Sequence, residues 1–207
     1  MMTLLMILLA GCGGRNFQAE TGELLLEEDF STGYGWEENA SGGVEIGVQN
    51  GVYRMRTDVN QYVRGFGTAR HADAIIDVEA LQRTPDENNA FGIICRGGLS
   101  ADTGSGYYFL IGANGSYAIL KGTNGDPQPL VDWARSGAVR EGAGTNLIRA
   151  VCVGDRLALY VNDELVAQTT DTSYQSGYTG FVVAAGRGTV AEIAFDNLRV
   201  WEAHLPE

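Results

Sequence analysis

The stretch TNLIRAVCVGDRLALYVNDELVAQ, residues 145–168, decides the fold class of this chain. Within it, apolar side chains at Leu157, Leu159 and Val161 alternate with their neighbours, which is the two-residue period of a β-strand with one buried face. Asn162-Asp163 follows, a pair that tolerates the positive φ angles of a tight turn, and a return strand then begins. We therefore predict a β-hairpin around which the other strands of the chain are added.

The rest of the chain repeats this pattern of short apolar runs separated by turn residues. Asn50-Gly51 and Asn114-Gly115 each separate two alternating runs, and this dipeptide is the strongest short-range signal for a hairpin. Residues 122–144 are richer in turn residues and predict a long loop with one strand near 130–134. Since no segment shows convincing helical periodicity, the sequence predicts an all-β sandwich. Further strands are predicted at 24–30, 44–48, 52–56, 61–67, 73–83, 90–96, 107–111, 117–121, 180–185 and, as a central strand, 191–201.

Length and composition fit one domain that binds neither nucleic acid nor an anionic surface. The 207 residues suffice for a single sandwich with a sizeable core. The 29 glycines are about twice the usual proportion, and they separate apolar runs, as expected for many turns. The net charge of −12 repels phosphate backbones, so nucleic-acid binding is excluded as a function class.

The N-terminus is similar to the signal of bacterial lipoproteins. Residues 1–9 are mostly apolar, and Leu9-Ala10-Gly11-Cys12 matches the lipobox, whose cysteine becomes lipidated, although no basic residue precedes the apolar run. The resemblance implies a signal peptide at 1–11, a lipidated tether at 12–22 and a sandwich domain at 23–203, carried outward-facing on a bacterial cell envelope. The alternative is a short buried strand or a disordered start, since the run is too short to span a bilayer.

The order of motifs from residue 91 onward resembles the concanavalin A-like lectin/glucanase superfamily. The motifs are FGIICR, GYYFLIGANGSYAILKG, NLIRAVCVGDRLALYVNDELV, GYTGFVVAAG and FDNLRVW. The resemblance is strongest to laminin-G-like and sugar-hydrolase-associated jelly rolls of bacterial surface lipoproteins, and it covers about residues 23–202. It implies an all-β, two-sheet antiparallel jelly-roll sandwich. Because this fold carries lectins, enzymes and adhesion modules alike, it does not by itself give an activity.

Two cysteines remain once Cys12 is assigned to lipidation. Cys95 and Cys152 form an even pair in an exported protein, where disulfides persist. In the resembled fold, their strands could be neighbours in one sheet. We predict a Cys95–Cys152 disulfide; the alternative is two buried free thiols.

The most enzyme-like feature is the pair Asp77 and Glu79. Carboxylates two residues apart on a strand lie on one face about 7 Å apart, within the range used for glycoside hydrolysis. The surrounding strand departs from the glucanase pattern Glu-x-Asp-x-x-Glu, because Ala74 and Ile75 precede the pair and Gln82 follows it. The alternative is a solvent-facing strand with charged side chains.

Other polar residues give weaker indications of chemistry. His71 and His204 lie in polar surroundings and are interpreted as surface histidines. Oxygen ligands of the kind that Ca²⁺ prefers occur at Asp126, Asp132, Asp196 and Asn197, so we consider calcium as a cofactor. The spacing of these residues does not match that of an EF-hand loop. For Asp196-Asn197 the alternative is local hydrogen bonding at a strand end.

Aromatic residues give the better indication of a ligand site. Tyr107 and Tyr108 are neighbours on a strand, so one is expected in the core and the other exposed. A sugar has an apolar face that stacks on aromatic rings and hydroxyls that suit amides and guanidinium groups. The alternative is that these rings belong to the core, since aromatic residues favour strands in any case. The residues predicted to form a sugar-binding platform are Arg96, Tyr108, Tyr117, Trp133, Asn88 and Asn89.

These observations favour a non-catalytic, lipid-anchored carbohydrate-binding or adhesion module on a bacterial envelope, with a glycan as its partner and the membrane reached through the N-terminal lipid. One alternative is a glycoside hydrolase that uses Asp77 and Glu79. The other is a structural envelope protein that binds a protein partner at a sheet edge or loop.

Overall fold

A computed structural model describes residues 19–99, 104–123 and 126–206. These residues form fifteen β-strands, and no helix long and apolar enough to cross a membrane occurs among them. The prediction of an all-β chain is therefore confirmed. The strands are β1 (Glu20–Glu28), β2 (Asn39–Ser41), β3 (Val44–Gln49), β4 (Val52–Thr57), β5 (Val63–His71), β6 (Ala74–Gln82), β7 (Ala90–Gly97), β8 (Gly106–Gly112), β9 (Ser116–Thr123), β10 (Asp126–Arg135), β11 (Thr145–Val153), β12 (Arg156–Val161), β13 (Glu164–Thr170), β14 (Gly177–Ala184) and β15 (Ala191–His204).

The strands form two antiparallel sheets, as the sandwich prediction requires. The larger sheet has the order β13-β12-β11-β6-β15-β4-β3-β2, and β1 pairs with the second half of β15. The smaller sheet has the order β10-β9-β8-β7-β14-β5. β15 lies in the middle of the larger sheet, so the prediction of a central final strand is confirmed.

The hairpin of residues 156–170 forms as predicted but lies at an edge of the larger sheet. Asn162 and Asp163 have φ angles of 50° and 67°, which is the left-handed conformation that the turn needs. β13 is the outermost strand, so the other strands of this sheet are added on one side of the hairpin and do not surround it as expected. The neighbouring strand β11 contributes its inner side chains to the main core, and its outer residues Val151 and Val153 join a second apolar cluster.

The segment 122–144 was predicted as a long loop with one strand near 130–134, and the strand there is longer than predicted. β9 extends to Thr123, and β10 is ten residues long. Pro127 and Pro129 obscured this strand in the sequence, because proline removes a ladder hydrogen bond. β10 is an edge strand, where one side of the backbone has no strand partner and proline is tolerated.

The disulfide prediction is confirmed, but its expected location is wrong. Cys95 on β7 and Cys152 on β11 are joined, and both side chains are buried in the core between the sheets. Since β7 belongs to the smaller sheet and β11 to the larger, the bridge links the two sheets and does not join neighbours within one of them.

The sandwich has two distinct ends. At one end Glu20 pairs with His204, and the β5–β6 turn lies beside them because Ala203 N donates to Asp73 O. At the opposite end β6 finishes at Gln82, where β15 begins and the 83–89 loop starts. β6 spans nine residues, so the ends are about 30 Å apart. β1 begins three residues before the predicted domain start at residue 23, within the predicted tether, and Cys12 lies outside the described residues.

Candidate functional site

A cleft of about 360 Å³ lies at the end of the sandwich opposite Glu20 and His204. Its floor is formed by Ala90, Gly112 and Ser116, which lie on three adjacent strands of the smaller sheet and face away from the main core. These side chains are small, which leaves the space open. A Cβ on Gly112 would displace the side chains of Ser116 and Asn114, so glycine at this position leaves room for both of them at the cleft.

Trp133 forms one wall of this space, which we call the Trp133 cleft. Its side chain is 43% exposed although it sits on a strand of a compact sandwich. The pairing of β10 with β9 shifts between Val131 and Ala134, so that β10 carries an extra residue there. Such a bulge changes the direction of the side chains within it. The irregularity therefore accounts for the exposure of the indole on this strand.

The opposite wall is the loop that follows β6, with Glu87 and Asn88 at the cleft. Asn89 holds this loop in place: its Nδ2 donates to Thr84 Oγ1 at 3.1 Å, and its Oδ1 accepts from Gly186 N at 3.3 Å. Asp86 adds a local turn by accepting from Asn88 N at 2.8 Å. The loop is thus fixed by side-chain hydrogen bonds, while the Glu87 and Asn88 side chains remain exposed.

Polar side chains at the third side come from the turn after β8 and the end of β10. Asn114 Oδ1 accepts from Ser116 Oγ at 2.6 Å, which orients the amide. Arg135 Nη2 donates to Glu141 Oε1 at 2.6 Å, and both side chains are largely exposed. The Trp133 cleft therefore offers an indole face together with amide, carboxylate and guanidinium groups, a combination that suits a ligand with an apolar face and a rim of hydroxyls.

Three of the six residues predicted for the platform meet in this cleft: Asn88, Asn89 and Trp133. Asn89 is buried and its amide is used by the hydrogen bonds described above. Tyr117 pairs with Ala134, next to the cleft, but is half-buried against the main core.

The expectation that Arg96 lies on an exposed platform is wrong. Its guanidinium is buried at the other end of the molecule and donates to the carbonyl oxygens of Ala72, Gly154 and Tyr174 at 2.8–2.9 Å. It also pairs with Asp73 Oδ1 at 2.8 Å. Arg96 thus fastens three turns to the smaller sheet.

Tyr108 is also buried, so the expectation that one tyrosine of the Tyr107-Tyr108 pair is exposed is wrong. Tyr107 enters the main core, and Tyr108 joins an apolar cluster on the outer face of the smaller sheet. Its hydroxyl donates to Gly104 O, and burial raises its pKa. A sheet apolar on both faces buries the rings of both residues.

Asp77 and Glu79 lie on the outer face of β6 but in different surroundings. Asp77 accepts from Arg149 Nε and Nη2, both at 2.7 Å, and is only 7% exposed, so the expectation of a solvent-facing carboxylate is wrong for Asp77. The hydrogen bonds from Asp77 raise the pKa of Arg149. Glu79 is exposed and accepts from Asn197 Nδ2 at 3.3 Å. Asp77 is thus held in an ion pair, whereas Glu79 makes only a surface hydrogen bond.

The candidate metal residues Asp132, Asp196 and Asn197 lie on strands of different sheets. Among the described residues, no group of three or more His, Cys, Asp or Glu side chains is arranged to hold a metal ion. Asn197 N donates to Asp196 Oδ1 at 2.7 Å, at a bulge within β15 and not at a strand end as predicted. Asp132 lies on β10 and Asp126 at its start. His204 is exposed as expected, but His71 is half-buried, and burial lowers its pKa.

Comparison with known proteins identifies the fold. No family model matches the sequence, and no curated protein matches it. Among solved structures, carbohydrate-binding module CBM66 from Bacillus subtilis has a TM-score of 0.65 and 16% identity, over 81% of this chain and 96% of the module. A Bacillus licheniformis β-glucanase has a TM-score of 0.62 and 13% identity, over 88% and 99%. A protein of unknown function with a galectin-like fold from Bacillus subtilis has a TM-score of 0.67 and 9% identity, over 91% and 100%.

The fold is a concanavalin A-like jelly roll. The predicted fold class is therefore confirmed, and at these identities the similarity concerns the fold alone. Sequence reasoning missed Glu87, Asn114, Ser116 and Arg135 as lining residues of the Trp133 cleft. The Asn-Gly turn was recognised, so the position of Asn114 at a hairpin end was available. The bulge that places Trp133 beside it left no signal in the sequence.

Proposed function

We propose that this chain is a non-catalytic carbohydrate-binding module that binds a neutral glycan in the Trp133 cleft and is held on a bacterial envelope by a lipid on Cys12. The observation that carries the proposal is a 43% exposed indole above a floor of small residues, with polar side chains around it. A pyranose or furanose ring could stack its apolar face on Trp133 and place hydroxyls near Asn88 and Asn114. The known structures that share the fold include one named as a carbohydrate-binding module.

The preference for a neutral glycan comes from charge. Glu87 lines the Trp133 cleft, and Arg135, the cation there, is already paired with Glu141. The whole chain carries a net charge of −12. Uronic acids, sialic acids and sulfated sugars would therefore be repelled on approach.

The preference for binding over catalysis comes from Asp77. A bidentate contact with Arg149 commits this carboxylate to an ion pair, so it is poorly placed to attack a substrate or to transfer a proton. The hydrolase alternative remains testable: oligosaccharides are incubated with the wild type, Asp77→Ala and Glu79→Ala. Turnover by the wild type that either substitution abolishes would replace our proposal with a glycoside hydrolase.

Binding is tested on a glycan array with the wild type, Trp133→Ala and the control Leu205→Ala, which removes an exposed apolar side chain near the chain ends. We expect saturable binding to neutral glycans, weakened at least tenfold, or about 1.4 kcal/mol, by Trp133→Ala and unchanged by the control. A blank array would favour the alternative of an envelope protein with a protein partner.

The lipid anchor needs its own experiment. Full-length chain expressed in bacteria with a labelled fatty acid should acquire the label and fractionate with membranes. Cys12→Ser should remove both properties, because the thiol is the acceptor of the lipid. Unlabelled wild-type chain would refute the anchor while leaving the binding proposal intact.

A further inference from the structure

A second, smaller pocket lies between β1 of the larger sheet and β5, the edge strand of the smaller sheet. Its volume is about 200 Å³. We call it the Tyr34 pocket, and the residues that matter for its chemistry are Leu26, Glu28, Tyr34, Trp36, Thr68 and Thr179. It exists because β5 bulges away from β14: between the pairs Tyr178–Arg70 and Gly180–Phe66, β5 has three intervening residues where β14 has one. That one residue is Thr179.

Thr179 supplies the first indication of a ligand. The residue is 2% exposed and lines the pocket, yet its hydroxyl makes no hydrogen bond to any residue in the described part of the chain. The oxygen is not among the fully buried polar atoms that lack a partner in the described part of the chain, so the hydroxyl reaches the open space of the pocket, where a ligand could form a hydrogen bond with it.

Trp36 supplies the second indication. Its side chain is 9% exposed, and its indole N–H has no acceptor among residues 19–99, 104–123 and 126–206. The ring is fixed by stacking on Phe181, with centroids 5.2 Å apart and planes 6° apart. A Cβ on Gly67 would lie 3.4 Å from Trp36 Cε2, the atom bonded to the indole nitrogen, so that edge of the ring borders the bulge. Like the Thr179 hydroxyl, the indole nitrogen is not a fully buried atom without a partner in the described part of the chain, so both donors are accessible at this pocket.

Tyr34 completes the pocket with an exposed ring. Its side chain is 92% exposed and stands between Gly33 and Gly35, where Gly35 has a φ of 82°. A tyrosine kept in water beside an open pocket is available for stacking. Glu28 adds a carboxylate, of which Oε1 already accepts from Phe30 N at 2.8 Å.

We infer that the Tyr34 pocket is a second site for one neutral sugar unit, an inference that rests on the proposed glycan-binding function. Sugar oxygens would accept from the Trp36 indole N–H and the Thr179 hydroxyl, and a sugar hydroxyl would donate to Glu28. The apolar face of the ring would lie against Tyr34 and Leu26. The carboxylate excludes acidic sugars, and the volume limits the pocket to about one ring.

The two sites are separate. Thr179 is five residues along β14 from Ala184, which pairs with Ala90 on the floor of the Trp133 cleft. Five strand residues correspond to about 17 Å. Small sugars would therefore occupy the sites independently, whereas a polysaccharide that reaches both would bind with avidity.

The three tryptophans of the chain make the test specific. The indole N–H resonances of ¹⁵N-labelled protein report on the Tyr34 pocket through Trp36, on the cleft through Trp133, and on neither site through Trp201. The probes are the methyl glycosides of glucose, galactose, mannose and fructose, each titrated into the millimolar range. We expect saturable shifts of Trp36 and Trp133 with at least one probe, and no shift of Trp201.

Each pattern of shifts decides one or both proposals. A shift of Trp133 alone overturns the second site and leaves the proposed function standing. A shift of Trp36 alone supports the second site and refutes the Trp133 cleft. If neither Trp36 nor Trp133 shifts with any probe, both the second site and the proposed function are overturned.

Variants then assign the Trp36 shift to the pocket. Thr179→Val removes the hydroxyl without changing the side-chain shape, and we expect at least tenfold weaker binding at Trp36 with the Trp133 affinity unchanged. The matched control, Thr170→Val on exposed β13, should alter neither. If Thr179→Val fails to fold, Tyr34→Ala serves in its place because the ring is exposed. Unchanged binding in the folded variant overturns the inference.

Discussion

The Cys95–Cys152 bridge gives the most quantitative prediction about this fold. It closes a segment with a sequence separation of 57 residues and links the two sheets. The chain-entropy relation for a loop of that length gives about 4 kcal/mol of stabilisation, because the cross-link restricts the unfolded chain. For a domain of this size, each kcal/mol shifts the melting temperature by roughly 2–4 °C. Breaking the bridge should therefore lower the melting temperature by about 8–16 °C.

The assay compares oxidised wild type, reduced wild type and Cys95→Ala/Cys152→Ala, each carrying Cys12→Ser to prevent thiol exchange. Unfolding in guanidinium, monitored by circular dichroism, gives the free energy of unfolding of each of the three proteins. Reduction keeps both sulfurs in the core, so the oxidised-to-reduced difference isolates the cross-link. The double alanine variant should lose somewhat more stability than the reduced wild type, because both cysteine side chains are buried and their truncation leaves a cavity. An oxidised-to-reduced difference below about 1 kcal/mol would refute the entropic argument.

Three further predictions concern buried charges. Asp77→Asn should lower stability in thermal unfolding by about 1–2 kcal/mol, since it leaves the half-exposed Arg149 without its ionic partner; an unchanged melting temperature would show that the pair is not stabilising. Burial would raise the pKa of Asp171, but hydrogen bonds from Lys121, Ser173 and Tyr107 outweigh it and hold that pKa below its usual range. The stability from this carboxylate is therefore present at neutral pH and lost as pH falls below about 4, so the deficit of Asp171→Asn should shrink in acid; a deficit independent of pH would contradict this. Arg96→Met removes four hydrogen bonds and should cost about 3 kcal/mol or more, with faster amide exchange in the turns that Arg96 fastens, whereas wild-type exchange rates there would refute that role.

The fold was predictable from sequence because its signals are local. The period of 2 in β12 and the Asn-Gly and Asn-Asp turns are properties of adjacent residues, and the structure confirms each hairpin. Which sheet a strand joins depends on contacts far apart in the chain. This is why the sequence predicted the Cys95–Cys152 pair but not its position between the sheets, and why it predicted the hairpin but not its place at the edge of the larger sheet.

The candidate site was only partly predictable, because exposure depends on what covers a sheet face. Tyr108 on a strand and Trp133 in the predicted long loop were both expected to be exposed aromatic residues. The first is buried because the outer face of the smaller sheet carries an apolar cluster, and the second is exposed because a bulge in β10 turns it outward. Arg96 looked like a ligand contact, but three turns place carbonyl oxygens around it, an arrangement that only the tertiary structure reveals.

The pairing of Glu20 with His204 decides how the domain can be displayed. The start of β1 and the end of β15 both lie at the end of the sandwich remote from Trp133. An attachment upstream of Glu20 or downstream of His204 therefore joins the domain at the end opposite the Trp133 cleft. A support joined there, such as a lipid, a bead or a neighbouring domain, would leave the Trp133 cleft pointing into solution at a height of about one β6 length, roughly 30 Å. The orientation comes from the strand order itself, so a short linker would present the cleft as well as a long one.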